Sequence, residues 1–179
     1  AADTLDGGKG VDTFKLYDGT VTAADLPTLK NIENVALYGN TAVGAFSLEK
    51  WDTVETLFLV RDANTAAYTL GEKVTTVNIE DKAVATILTF DNALTAATLG
   101  VNNAINAGAA VAVTVNGAAL KTLTVDASGK ESNVSLTQAA IETLNITGRA
   151  DLTLAAGSVL TSVKTVDGSK AQGDLTFSN

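Results

Sequence analysis

The residues of this chain best suited to chemistry stand near its start: Gly7-Gly8-Lys9-Gly10-Val11-Asp12-Thr13-Phe14-Lys15. They match the nonapeptide G-G-x-G-x-D-x-U-x, with U a large apolar residue, at every specified position. Asp3-Thr4-Leu5-Asp6 matches the last four positions of a preceding copy, because Asp3 to Asp12 and Leu5 to Phe14 are both nine residues apart. Glycines let a tight loop take positive φ and aim carbonyl oxygens inward, the Asp adds a carboxylate, and the x-U-x strand buries one apolar residue. Such hard oxygen donors select Ca²⁺ over the transition metals. Asp3, Gly7, Gly8, Gly10 and Asp12 are therefore the candidate ligands. The plainer reading of the same residues is a Gly-rich turn between strands with a solvated Asp.

Other chemistry is sparse. The chain has no Cys and no His, so thiol nucleophiles, serine–histidine dyads and the usual zinc sites are excluded within it. Trp51 offers an indole face for a sugar ring, but with no second aromatic in phase it fits better as cover for the end of a sheet. Asp62, Asp81, Asp91 and Asp126 each follow a strand-like phrase. Two acids facing a groove could hydrolyse a glycoside. Their recurrence marks them instead as turn residues, where Asp bonds its own backbone. Gly148-Arg149-Ala150-Asp151 and Gly173-Asp174 keep one Gly and an Asp of the nonapeptide and are read as structural turns. Asn133-Val134-Ser135 and Asn145-Ile146-Thr147 fit a glycosylation acceptor pattern that so Thr-rich a chain produces by chance. No catalytic residue is expected.

These residues need elements to position them, and the elements repeat. One phrase, apolar-x-x-apolar-x-apolar, recurs as IENVAL from Ile32, VETLFL from Val54, VTTVNI from Val74, LKTLTV from Leu120, IETLNI from Ile141 and LTSVKT from Leu160. A weaker copy, ATLGV from Ala97, splits the one double-length gap. A second family sits half a period later: AAYTL from Ala66, ATILTF from Ala85, AVAVTV from Ala110, NVSL from Asn133, DLTL from Asp151 and DLTF from Asp174. Alternating, Thr-rich, β-branched phrases are strands. Turn-prone pieces such as Leu70-Gly71-Glu72, Asn116-Gly117 and Ser128-Gly129 separate them.

The pattern predicts an all-β fold, a parallel β-solenoid (β-helix) of about seven two-strand coils of roughly 21 residues. Val35/Leu37, Leu57/Leu59, Val77/Ile79, Leu123/Val125 and Leu144/Ile146 are expected to stack in register along one sheet. Short helical turns are expected at 22–30, 47–52 and 137–140. The alternative is a β-sandwich, disfavoured because tight Asn-Gly hairpin dipeptides are scarce and the period is regular. A leucine-rich horseshoe lacks its Asn column. Residues 1–20 are assigned to the end of a calcium-binding roll and 21–179 to the solenoid. The chain opens on Ala1 and ends on a strand phrase, so it is read as a piece of something longer.

Twenty acidic against twelve basic residues leave a net charge of −8, which argues against nucleic acid as a partner. No run approaches the roughly 18 apolar residues of a membrane span, and none reads as a signal peptide. The segment 3–15 resembles the calcium-binding RTX repeats of bacterial proteins exported by type I secretion. With the Thr/Ala-rich phrases after it and the lack of Cys, His and Met, the chain looks like the surface-layer (S-layer) proteins of Gram-negative bacteria; large RTX adhesins share similar stretches. The close match covers only residues 3–15. The resemblance implies Ca²⁺ shared between loops of stacked turns, secretion to the cell surface, and self-assembly. It also implies partners: neighbouring copies of the same protein, and cell-surface polysaccharide. The rivals are a ligand-binding or spacer segment of an adhesin and a non-catalytic accessory to a secreted enzyme.

Overall fold

The computed structural model describes residues 3–17, 26–39, 44–138 and 140–178. Among these residues there is no helix, and the strands are β1 (Thr4–Asp6), β2 (Thr13–Leu16), β3 (Thr28–Lys30), β4 (Asn34–Tyr38), β5 (Phe46–Ser47), β6 (Thr56–Val60), β7 (Ala67–Thr69), β8 (Thr76–Glu80), β9 (Thr86–Thr89), β10 (Ala96–Asn102), β11 (Val111–Asn116), β12 (Thr122–Ala127), β13 (Ser132–Thr137), β14 (Thr143–Gly148), β15 (Leu152–Leu154), β16 (Thr165–Ala171) and β17 (Leu175–Phe177). All strand pairs are parallel. The even strands β2 to β16 form one sheet in chain order, the odd strands β5 to β17 a second, and β1 pairs with β3 beside it. The result is a β-solenoid of about seven turns spaced about 22 residues.

The first apolar residue of each phrase plugs a corner rather than a strand. An i to i+3 turn, such as Val74 N–H on Gly71 O at 3.0 Å or Leu120 N–H on Gly117 O at 3.3 Å, delivers it inward. Ile32, Val54, Val74, Leu120 and Ile141 are all buried there. The two later apolar residues point between the sheets, giving β8 and β12 a strict alternation of buried and half-buried positions. Outward positions form ladders, one of them running Thr13, Asn34, Thr56, Thr76, Thr98, Thr124, Asn145, Asp167. A single coil leaves its apolar residues open above and below; stacking covers them.

The expected register holds in two blocks and slips between them. Val35, Leu57 and Val77 pair in a column, and so do Leu123 and Leu144. Between them Leu99 pairs with Val77 on one side and with Val125 on the other. The inner column is therefore Val35–Leu57–Val77–Leu99–Val125–Ile146, while Ala97–Leu123–Leu144–Val166 starts a new one. A shift of two residues keeps every side chain on its face, so the core tolerates it. The last copy is also re-phased: Leu144 pairs with Val166, so the phrase begins at Val163 and not Leu160.

The expected helical turns are corrected. Thr28–Lys30 is strand β3, while 22–25 lie outside the described residues. Ser47 ends β5, and its hydroxyl accepts the Glu49 N–H at 3.2 Å, a local turn without a helix. Thr137 ends β13, and the Gln138 side chain closes the next turn by accepting the Ile141 N–H at 2.9 Å; residue 139 is outside the described residues. Pro27 precedes β3, and its carbonyl accepts the Trp51 indole N–H.

The opposite corner carries a ladder of left-handed residues just after the even strands: Gly39, Arg61, Asp81, Asn103 and Gly129, with φ between 49° and 67°. Asp and Asn tolerate this conformation better than other non-glycine residues. Asn103 also donates from Nδ2 to Asp81 Oδ1 at 2.6 Å, tying one rung to the next.

Candidate metal centre

The glycine loop 7–12 is the corner between β1 and β2, the two x-U-x strands of the nonapeptide pattern. Gly8 and Gly10 hold φ of 82° and 116°, which L side chains rarely adopt. Gly7 is required for a different reason: a Cβ there would stand 2.3 Å from the Asn31 carbonyl oxygen of the next coil. The loop is bonded onto that coil at both ends. Gly7 N–H donates to Lys30 O at 2.9 Å, Asn34 N–H to Asp12 O at 3.0 Å, and Asp12 N–H to Glu33 Oε2 at 2.8 Å.

Within this loop the two acids have different roles. Asp6 Oδ1 accepts from Asn31 Nδ2 at 2.8 Å and from Gly8 N–H at 3.0 Å, and these bonds, the Asn31 one foremost, hold its carboxyl below the usual carboxylate range. Asp12 Oδ2 is buried and accepts no hydrogen bond among the described residues. An orphaned buried oxygen of this kind needs a partner. A hard cation supplies one, since carboxylate and carbonyl oxygens are the donors Ca²⁺ prefers. The group fits the donor chemistry; Asp12 and the loop carbonyls would hold it. Ca²⁺ takes six to eight oxygens. Among the described residues no three acidic side chains gather into one cluster, so this loop supplies only part of such a shell.

Asp3 is not brought to Asp12. It precedes β1 at the opposite corner, where its backbone oxygen accepts the Thr28 N–H at 2.9 Å. The structure thus gathers Gly7, Gly8, Gly10 and Asp12 and leaves Asp3 apart. Sequence reasoning did not single out Asp6, Asn31 or Glu33, which hold the loop. Asp6 follows the strand residue Leu5, where the nonapeptide pattern specifies nothing.

The other acids singled out from the sequence each have a local role. Asp91 Oδ1 accepts the Ala93 N–H at 2.8 Å, an Asx turn as expected. Asp126 lies within β12 rather than after it, and accepts from the Thr147 hydroxyl at 2.6 Å. Asp151 Oδ1 caps the Asp174 N–H at 2.8 Å, stacking the two late Gly/Asp turns. Trp51 is fully buried against Phe14 and Phe46, with Lys50 Nζ 5.2 Å from its ring, so no sugar can stack on it.

Asp62 Oδ1 accepts the Asn64 N–H at 3.3 Å, the expected Asx turn, but the residue is also buried and meets a second charge that sequence reasoning does not single out. Lys82 Nζ contacts Asp62 Oδ2 directly, and both side chains are fully buried. Burial pushes the Lys82 ammonium below its usual range, against the opposing pull of Asp62. Comparisons with protein-family models, with curated proteins and with solved structures find no match for this chain.

Proposed function

We propose that this chain is a structural module of a secreted bacterial S-layer protein, a rigid solenoid stiffened by Ca²⁺ that assembles with neighbouring copies on the cell surface. One observation carries the reading. The loop holding the orphaned Asp12 oxygen is built into the same stack as the solenoid, since Phe14 pairs with Val35 in the register that the following coils continue. An ion bound at that loop favours only the stacked state, so binding free energy becomes folding free energy. The acidic chain stays loose where Ca²⁺ is scarce inside the cell and folds where it is abundant outside. The outward Thr/Asn ladder, in which Asp167 is the one charged residue, gives a row of hydroxyls and amides for contact with a second copy or with surface polysaccharide.

On this reading the module has no catalytic role. The test is electron microscopy with Ca²⁺ and with chelator, on the chain and on a form extended upstream of Ala1. Ordered sheets in Ca²⁺ alone, lost in Asp12→Ala, support the proposal. Equal assembly in chelator, or none in either condition, overturns it. A monomer that binds a surface polysaccharide favours the adhesin reading instead. That reading has one feature of its own: the stacked rings of Tyr17 and Tyr38, 4.7 Å apart, beside a cavity of about 210 Å³ lined by Thr13, Lys15, Asn34, Ala36 and Phe58.

A further inference from the structure

We propose that Lys82 and Asp62 form a self-catalysed cross-link, the Lys82 amine condensing with the Asp62 carboxyl to give an intramolecular amide and one water. The two residues occupy the same repeat position one coil apart, each following a left-handed residue, Arg61 and Asp81. Neither side chain is accessible to solvent, and Nζ touches Oδ2 without an intervening group. In the next coil the equivalent position is the buried Ala104.

The surroundings resemble an acyl-transfer site more than a passive ion pair. Asp62 Oδ1 accepts from the Tyr68 hydroxyl at 2.8 Å and from the Asn64 N–H at 3.3 Å, two donors aimed at the oxygen where negative charge develops when Cγ is attacked. Oδ2, the other oxygen, faces the amine and is the one that leaves. Asp62 O at 2.9 Å and Asn64 O at 3.1 Å accept the other Nζ–H groups and hold the nitrogen beside the carboxyl. Held contact of this kind replaces an improbable encounter with a unimolecular step. Exclusion of water favours condensation, and it makes the charged pair costly to keep.

The step balances. The ammonium passes one proton to Oδ2, giving a neutral amine and a neutral acid. The amine lone pair forms the C–N bond at Cγ, and Oδ1 takes the charge against Tyr68. The Cγ–Oδ2 bond then breaks as the second amine proton moves to Oδ2, which departs as water. The product amide keeps its carbonyl on Tyr68 and Asn64 and its N–H on a nearby backbone carbonyl. Nothing is oxidised or reduced.

The experiment is mass spectrometry on the purified chain, with folding verified by circular dichroism and the mass read after denaturation. The expected wild-type mass is lower than the sequence mass by one water. Tryptic digestion should leave Lys82 uncut and join the peptide beginning at Asp62 to the one containing Lys82. Lys82→Arg should have its full mass. Tyr68→Phe, which keeps the ring and removes the donor, should cross-link several-fold more slowly and appear as a mixture. A folded wild-type chain at full mass overturns the proposal. So does a missing water that maps to an Asp-Gly pair such as Asp6-Gly7 or Asp167-Gly168.

Discussion

Gly148 crosses so close to Ala127 that a Cβ at Gly148 would lie 1.9 Å from the Ala127 carbonyl oxygen. The two are paired at the ends of β14 and β12, and Gly148 also holds φ of 101°. Any side chain there meets backbone, which cannot step aside. Gly148→Ala should therefore destabilise the chain by about 2 kcal/mol or more, from strain and clash together. Chemical denaturation measures it; an unchanged midpoint would mean the strands are not this close.

Leu144 is fully buried between Leu123 and Val166. Leu144→Asp puts a carboxylate among apolar neighbours with no partner, at a cost of several kcal/mol, about 3 or more. Loss of the cooperative transition, or a large drop in its midpoint, is expected. A midpoint equal to the parent's would place the residue on the surface.

Calorimetric titration of this chain with Ca²⁺ should show weak binding, at best about 10⁻⁴–10⁻³ M, the range of extracellular modules. Asp12→Ala should abolish it, because Asp12 carries a buried side-chain oxygen with no hydrogen-bond partner among the described residues. Asp3→Ala should leave it unchanged in this chain, since Asp3 stands at the other corner. Equal loss in both variants would show that the gathering of residues seen here is not the one that binds.

Glu142 bridges two lysines of adjacent coils, Lys164 at 2.7 Å and Lys121 at 3.3 Å. Hydrogen bonds and charge from Lys164, then Lys121, hold its carboxyl below the usual range. A carboxyl lowered by folding adds stability above its unfolded pKa and gives it up as pH falls through the folded value. The contribution should therefore fade on acidification below about pH 4.3. It should be small, and smaller in salt, because the pair is exposed. Comparing the acid limbs of wild type and Glu142→Gln isolates it; identical limbs would mean the bridge does nothing.

The coils were legible because two signals agreed: alternation marked the strands, and recurrence marked the stacking. IENVAL, VETLFL and VTTVNI show both, and they stack as expected. The slip at Leu99 was not legible, since a shift of two leaves the alternation unchanged. It falls at the weakest phrase, where Ala97 stands in for a larger residue. The last copy misled for a related reason: both Leu160 and Val163 can begin the phrase, and only the pairing of Val166 with Leu144 decides.

At the site, the glycine loop could be read because each glycine answers a backbone demand that no other residue meets. The residues that hold it could not. Glu33 looks like any exposed acid of a strand phrase, and only stacking brings its carboxylate to the Asp12 amide. The Asp62–Lys82 contact did leave a trace. Opposite charges recur at one repeat position, directly after the residues that turn left-handed, and a column of that kind faces inward. The phase had to be known to a single residue for that to be seen.

The strands lie across the stack, so the hydrogen bonds between coils all point along its length. Tension applied along that length loads those bonds one row at a time. The chain should yield in steps, each freeing one coil of about 22 residues, or about 70–80 Å of extended backbone. A covalent tie between Asp62 and Lys82 would shield the chain between them and shorten one step. The solenoid would then act as a graded mechanical fuse whose weakest coils give way while the tied one holds.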